Sequence, residues 1–251
     1  MKWLIIEKDK ALGQALCHLL IPLGIFGIVT ETPEKAKEIW QRGGFSGAII
    51  DWDSHELQAE QLIGEFKSLP SEGKSVFIAH TASNTANHIV KIHNQGFSGI
   101  IEKPFDLQKI SLALQSLVEK INANGSEKRN HLRIFPDPDD MMRVFFKTSA
   151  KGPLLAGKVI NISMGGMAME ILQPLKKAGS LSKNTLLFKL EVIVDSHSLV
   201  IPSIITLNKG KFLAVKFKQL NFQNKGHLAR YIYKRISKTA GSLDLAAGTA
   251  G

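Results

Sequence analysis

Five short apolar runs alternate with helical patterns through the first half of the chain, and this alternation constrains the fold more than any other feature. The runs have the length of strands and span residues 3–6, 27–29, 48–50, 76–79 and 100–101. Strands separated by helices pair in parallel, because a parallel connection has to cross from one end of the sheet to the other. Residues 1–121 are therefore predicted to form a doubly wound α/β domain, with a five-stranded parallel sheet covered by helices on both faces.

Charged and hydroxyl side chains stand just after these apolar runs. Glu7 follows the first run, Asp51 and Asp53 follow the third, Thr81 follows the fourth and Lys103 follows the fifth. The carboxyl ends of parallel strands meet at one edge of a sheet, so we expect these side chains to converge there. Carboxylates can hold Mg²⁺ and accept a phosphoryl group, while hydroxyl and ammonium groups contact the transferred group. The pattern predicts a phosphoryl-transfer site.

These residues, in this order, resemble the site of the response-regulator receiver domain, and the resemblance covers residues 1–121. It implies a flavodoxin-like domain in which Asp51 is the phosphoacceptor. The pocket around Asp51 would then consist of Glu7, Thr81 and Lys103. The resemblance also implies that Mg²⁺ is held by Glu7, Asp51 and Asp53.

The chain departs from the receiver pattern in three places, one of which is the loop after Asp51, where the usual Met-Pro and Asp-Gly elements are missing. Lys8 stands where a second acidic residue is usual, and its ammonium group would repel a metal ion. Ile100 stands where an aromatic residue usually reports phosphorylation. Two roles stay open for this domain: a phosphorylation input with a histidine kinase as partner, or a degenerate receiver that serves as a docking or homodimerisation surface.

Composition changes after the first half of the chain. Residues 1–122 carry 12 Lys/Arg and 14 Asp/Glu, a net charge of −2, whereas residues 123–251 carry 20 and 8, a net charge of +12. A short polar linker, residues 122–127, lies at the change. A chain of 251 residues suits two domains of ordinary size, and the basic second domain would attract anions.

The second half has the pattern of an antiparallel β-barrel followed by a helix. Strand-like runs span residues 142–148, 154–162, 167–171, 186–194, 199–207 and 212–217, with turn residues between them. A helical pattern follows from about residue 224 to residue 238. We expect this domain to span residues 128–240, and the tail at residues 241–251, rich in small residues, to be disordered.

Two short motifs indicate what the barrel binds. Arg129-x-x-x-Arg133 precedes the first strand, and Asn161-x-Ser163-x-x-Gly166 forms a polar turn between two strand-like runs. A guanidinium group can bind phosphate or the edge of guanine through two parallel N–H donors. A turn of Asn, Ser and Gly lets a flat base approach the backbone closely. Together they predict a site for a guanine nucleotide that carries phosphate.

The same two motifs, in this order and at this separation, resemble those of the PilZ domain, a bacterial receptor for cyclic di-GMP. The resemblance covers roughly residues 127 to 238. It implies that the arginine pair holds phosphate and guanine, that Asn161 bonds a guanine edge, and that the rest of the second motif shapes the turn. The implied cyclic di-GMP site consists of Lys128, Arg129, Arg133, Asn161, Ser163 and Gly166.

The sequence therefore predicts a bacterial signalling effector that binds cyclic di-GMP and passes the signal to a partner protein by reorienting its domains. Cys17, on an apolar helical pattern, excludes a disulfide framework, and no apolar run approaches the roughly 20 residues that span a bilayer. We expect a cytoplasmic protein without membrane insertion or enzyme activity. The alternative is a response regulator whose basic second half binds nucleic acid; the absence of a helix-turn-helix pattern disfavours it.

Overall fold

The computed structural model describes residues 1–69, 75–83, 85–103, 106–122, 131–137, 139–140, 142–147, 149, 151–172 and 181–247. The chain divides into two compact units, Met1–Asn130 (unit 1) and His131–Gly251 (unit 2). Asn122, the first residue of the predicted linker, is the last residue of a helix. The rest of that linker lies outside the described residues.

Unit 1 is the predicted doubly wound α/β domain. Its elements are β1 (Lys2–Ile6), α1 (Lys10–Leu20), a 3-10 turn (Ile21–Leu23), β2 (Phe26–Thr30), α2 (Pro33–Gln41), β3 (Gly47–Asp51), α3 (Trp52–Ser68), β4 (Val76–Thr81), α4 (Ala86–Asn94), β5 (Gly99–Glu102) and α5 (Leu107–Asn122). All strand pairs are parallel, in the order β2-β1-β3-β4-β5. This is the flavodoxin-like strand order, and it confirms the fold class predicted for the first half.

Aromatic packing holds helices α2 and α3 against the sheet of unit 1. The ring of Trp40 stacks on Phe66 with centroids 4.3 Å apart and on Phe45 at 5.3 Å. Every residue of the central strand β3 is buried, as expected for a strand covered on both faces. Asp106, directly before α5, caps that helix by accepting hydrogen bonds from the backbone N–H groups of Gln108 and Lys109. The core thereby fixes the carboxyl ends of the strands in one place.

Unit 2 is the predicted closed antiparallel barrel with a helix. Its elements are β6 (Arg133–Ile134), β7 (Arg143–Lys147), β8 (Leu154–Ser163), β9 (Gly166–Ile171), β10 (Leu186–Val194), β11 (His197–Lys209), β12 (Phe212–Phe217) and α6 (Phe222–Ala247). Six strands close a ring in the order β8-β7-β10-β11-β12-β9, because β9 pairs back onto β8. Strand β6 pairs with the end of β8. Closure leaves the six strands without a free edge.

The structure differs from the prediction at both ends of unit 2. Strand β6 was not predicted, because a two-residue strand shows no alternation of apolar and polar residues. Helix α6 continues through Ala247, where a disordered tail was predicted from residue 241. Leucine and alanine are strong helix formers and no proline interrupts this stretch, so the single Gly241 does not end the helix. Residues 248–251 lie outside the described part of the chain.

Helix α6 packs on the barrel through one apolar face. Leu228, Tyr231 and Ile232 are buried, and Asn221 accepts a hydrogen bond from the N–H of Asn224 in the first turn. Farther along, the side chains of Arg235 and Lys238 both bond Asp137, which follows strand β6. The helix therefore anchors the segment that carries Arg133.

Candidate functional sites in the two units

A network of charged side chains joins the carboxyl ends of β3, β4 and β5 in unit 1. Lys103 Nζ donates to Asp51 Oδ1 at 2.6 Å and to Asp53 Oδ2 at 3.2 Å. Thr81 Oγ1 donates to Asp53 Oδ1 at 2.6 Å, and the N–H of Ala82 donates to Asp53 Oδ2 at 2.9 Å. The structure thus brings together four of the five predicted pocket residues. We call Asp51, Asp53, Thr81 and Lys103 the Lys103 network.

Mutual pairing sets the protonation states in the Lys103 network. Burial alone would raise the pKa of Asp51, but hydrogen bonds from Lys103 and Ser54 outweigh it and lower that pKa. The pKa of Asp53 is also lowered, because bonds from Thr81, Ala82 and Lys103 outweigh burial. Burial would lower the pKa of Lys103, but its two carboxylate partners raise it. All three groups are therefore held in their charged forms.

Glu7, the remaining pocket residue, is bound by a histidine. His80 Nδ1 lies 3.0 Å from Glu7 Oε2, and the side chain of His80 is fully buried. A second bond reaches Glu7 from the N–H of Asp9. The complete burial of His80 against Glu7 was not predicted from the sequence. The feature of the sequence that could have indicated this pair is the position of His80, directly before Thr81 at the end of strand β4.

This arrangement does not fit a bound Mg²⁺. The ammonium group of Lys103 lies against both Asp51 and Asp53, where a metal ion would take their oxygens. Glu7 is committed to His80. Among the described residues, no group of three or more His, Cys, Asp and Glu side chains is placed to hold a metal ion. Each of the three predicted Mg²⁺ ligands is therefore already paired with a basic side chain.

The residue after Asp51 connects this edge of the sheet to helix α4. Trp52 Nε1 donates to Gln95 Oε1 at 2.7 Å, and the ring of His88 meets the Trp52 ring edge-on at 5.5 Å. Lys91 Nζ lies over the same ring at 5.8 Å. This contact was not predicted from the sequence, although Trp52 directly follows the candidate phosphoacceptor Asp51.

In unit 2, strand β6 places one residue of the arginine pair beside the second motif. Arg133 pairs with Ser163, and Ile134 pairs with Ile162. Arg133 is exposed, whereas Ile134 and Ile162 are buried. Lys128 and Arg129 lie outside the described residues. The sequence separation of thirty residues between Arg133 and Ser163 becomes direct adjacency across two strands.

The turn between β8 and β9 closes on itself and leaves no room for a side chain at Gly166. Ser163 Oγ donates to the carbonyl of Gly166 at 3.2 Å and accepts from the N–H of Gly165 at 3.3 Å. A β-carbon at Gly166 would stand 2.2 Å from the carbonyl oxygen of Val215. A β-carbon at Gly165 would meet the ring of His131 at 2.6 Å. Glycine is therefore needed at position 166, where the neighbour is backbone, whereas at Gly165 only the side chain of His131 would have to move.

A β-bulge directs Asn161 to the outside of the barrel. Val159 pairs with Met169 and Asn161 pairs with Ala168, so β8 has one extra residue, Ile160, at this point. Without the bulge, Asn161 would share the inward face of Val159, two residues earlier. With it, Asn161 faces the same side as Ser163 and is half-buried. The bulge therefore places Asn161, Ser163 and Gly166 on one face with Arg133.

Comparison with known proteins gives similarity for each half of the chain. No family model matches. A CheY-like response-regulator receiver domain from Methylobacillus flagellatus is 22% identical, with 47% of this chain and 98% of that domain covered and a TM-score of 0.39. The PilZ domain with c-di-GMP of YcgR from Escherichia coli is 17% identical, with coverage of 47% and 98% and a TM-score of 0.39. The chain is similar to receiver domains and to PilZ domains.

A curated relative also matches about half of the chain. The probable transcriptional regulator ycf29 of Porphyra purpurea is 22% identical over 129 residues, which make up 51% of this chain. This chain spans 62% of the length of that relative. Within the described residues, no helix has both the length and the hydropathy that crossing a bilayer would take.

Proposed function

We propose that unit 2 binds cyclic di-GMP on the outer face of its barrel. The observation that carries the proposal is the β6–β8 register, which sets Arg133 opposite Ser163 in the turn that ends at Gly166. A guanidinium group is thereby held next to backbone that a planar base can approach. Lys128 and Arg129, on the segment before Arg133, are proposed to complete the site.

Each group in the proposed site has a chemical task. Arg133 offers paired N–H donors to a phosphate or to the Hoogsteen edge of guanine, which presents two acceptors. Asn161 offers both a donor and an acceptor to a guanine edge. Ser163 and Gly166 hold the turn flat, so that the base meets backbone instead of a side chain.

Unit 1 is proposed to act as the input or the docking module of a signalling effector that turns over no substrate. As an input, Asp51 accepts a phosphoryl group from a histidine kinase while Lys103 and Thr81 contact the new oxygens and Glu7 lines the pocket. If unit 1 is instead a docking or homodimerisation surface, the Lys103 network and the pair between Glu7 and His80 stay intact. A mass increase of one phosphoryl group after treatment with a small phosphodonor, absent in Asp51→Asn, separates the two roles.

The signal is proposed to pass through the segment that carries the arginine pair. When the ligand binds, Lys128, Arg129 and Arg133 contact the anion together, and differential contacts of this kind are what couple a ligand to a change of state. The two units reorient, and the reoriented surface meets a partner protein in the cytoplasm.

Calorimetric titration of the full chain with cyclic di-GMP tests the binding proposal. We expect Arg129→Ala combined with Arg133→Ala to lower the affinity about 100-fold, because each arginine makes charge-assisted hydrogen bonds. The matched control is Arg143→Ala, since Arg143 is also an exposed barrel arginine but lies on β7. Equal affinities of the double variant and the wild type would refute the proposed site.

A further inference from the structure

The strand register places an exposed lysine in line with the proposed site. Arg133 pairs with Ser163 across β6 and β8, Ser163 pairs with Gly166 across β8 and β9, and Gly166 pairs with Lys216 across β9 and β12. These four residues form one row that runs perpendicular to the strands. We call Arg133, Ser163, Gly166 and Lys216 the outer row.

All members of the outer row face away from the barrel core. Directly paired residues of antiparallel strands project from the same face of the sheet. The next residues along β8, β9 and β12, namely Ile162, Met167 and Val215, are buried in the core. Successive side chains alternate between faces, so the row itself faces outward. Lys216 is exposed, in agreement with this placement.

The middle of the outer row carries no long side chain, because Ser163 is small and Gly166 has none; Ser163 itself is buried. The α-carbon of Lys216 lies 3.2 Å from the point where a β-carbon of Gly166 would stand, so the backbone at Lys216 packs directly against Gly166. Neighbouring strands are about 4.8 Å apart, which puts the backbones of Arg133 and Lys216 no more than about 14 Å apart. The row therefore has a cation at each end and only small residues between them, a span that we call the cleft.

The charge of Lys216 is available to a ligand. Salt bridges within 4.0 Å occupy the ammonium groups of Lys234 and Lys238 elsewhere in unit 2. In the described part of the chain, neither Lys216 nor Arg133 has a carboxylate within that distance. An anion that enters the cleft therefore has no internal carboxylate to displace from either cation.

We propose that Lys216 is a further ligand-binding residue, which holds a phosphate-diester oxygen of the bound dinucleotide across the cleft from Arg133. A lysine ammonium group binds phosphate as a point charge, and the phosphate can approach it from many directions. Lysine is therefore suited to position 216, which lies outside both sequence motifs. This assignment rests on the proposed function of unit 2 and extends its site from β6, β8 and β9 to β12.

Calorimetric titration with cyclic di-GMP at several salt concentrations tests the assignment. We expect Lys216→Ala to lower the affinity about 10-fold and to weaken its dependence on salt, because one phosphate contact is lost. Lys216→Arg should retain most of the affinity. The matched control is Lys209→Ala, which removes the same charge from an exposed position at the far end of the β11–β12 hairpin and should change affinity less than about twofold.

The outcomes separate this inference from the proposal on which it rests. If the wild type binds and Arg133→Ala binds weakly, while Lys216→Ala and Lys209→Ala bind equally, the assignment of Lys216 is wrong and the function of unit 2 stands. If the wild type does not bind cyclic di-GMP, both are wrong. Circular dichroism checks that each variant is folded, and Lys216→Gln replaces Lys216→Ala if the alanine variant is not.

Discussion

The candidate sites of the two units differ in where their charged groups find partners. In unit 1 the charges satisfy one another: Lys103 bonds Asp51 and Asp53, and Glu7 bonds the fully buried His80. In unit 2, Arg133 and Lys216 are exposed, and within the described residues no carboxylate pairs with either. One site is closed by its own ions, and the other presents cations to the solvent.

This difference follows from burial and indicates where an anion binds. A buried charge without a partner is very costly, so Asp51 and Glu7 require the cationic or polar groups that bond them. An exposed cation is solvated by water and exchanges that water for a phosphate at little cost. We therefore expect anion binding in the barrel, and we expect the Lys103 network to contribute mainly to the stability of unit 1.

The largest effect on stability is expected from a substitution in the Lys103 network of unit 1. Lys103→Ala leaves Asp51 buried without its ammonium partner, and we expect the free energy of unfolding of unit 1 to fall by about 3 kcal/mol at neutral pH. All three tryptophans of the chain, at positions 3, 40 and 52, belong to unit 1, so tryptophan fluorescence during urea unfolding measures this unit selectively.

Lys10→Ala is the control for the loss of a lysine ion pair in unit 1. Lys10 pairs with Glu31 at an exposed position, and exposed pairs contribute less than about 1 kcal/mol. Equal destabilisation by Lys103→Ala and Lys10→Ala would show that the network is no more than a surface ion pair.

The next largest effect is expected from a substitution in the site of unit 2 that removes no charge. Gly166→Ala forces a methyl group against the carbonyl of Val215, and we expect unit 2 to lose about 2 kcal/mol of stability together with its affinity for cyclic di-GMP. Gly226→Ala is the matched control, because Gly226 lies inside helix α6 with no atom near its would-be β-carbon. That variant should gain about 0.5–1 kcal/mol. Chemical unfolding followed through the barrel residues by NMR distinguishes the two; a loss in both variants would contradict the steric explanation.

A smaller effect is expected on how the stability of unit 1 depends on pH. Burial lowers the pKa of His55 below its ordinary value of 6.5, against the opposing charge of Asp51. Between its folded and unfolded pKa values, His55 binds fewer protons when folded, so the free energy of unfolding of unit 1 falls as pH drops below about 6.5. His55→Leu should remove this part of the pH dependence, as measured by tryptophan-detected unfolding at several pH values. An identical pH profile in wild type and variant would show that His55 does not titrate with folding.

The sequence was sufficient for the fold of unit 1 and for the convergence of its polar residues. Apolar runs mark buried parallel strands directly, and the carboxyl ends of such strands necessarily share one edge, so Asp51, Asp53, Thr81 and Lys103 could be grouped without coordinates. The pair between Glu7 and His80 could not be predicted, because it depends on how two side chains meet in the core. The histidine had no pattern that distinguished it from an ordinary structural residue.

In unit 2, local motifs were visible in the sequence but strand register was not. The turn at Ser163 and Gly166 could be recognised because its residue types are unusual between apolar strands. The bulge at Ile160 and the pairing of Gly166 with Lys216 arise from contacts between distant segments, and a shift of one residue would reverse every face. From the sequence alone, Lys216 could therefore not be distinguished from the other lysines of unit 2. The strand register shows that it pairs with Gly166.

Binding of an anionic dinucleotide by the outer row, while the Lys103 network stays closed, is tested most directly by two-dimensional NMR of the full chain titrated with cyclic di-GMP. We predict saturable shifts of backbone amide signals at Arg133, Ser163, Gly166 and Lys216, and smaller or no shifts at Asp51 and Lys103. No saturable shifts in the outer row, or the largest shifts at Asp51 and Lys103, would contradict this account.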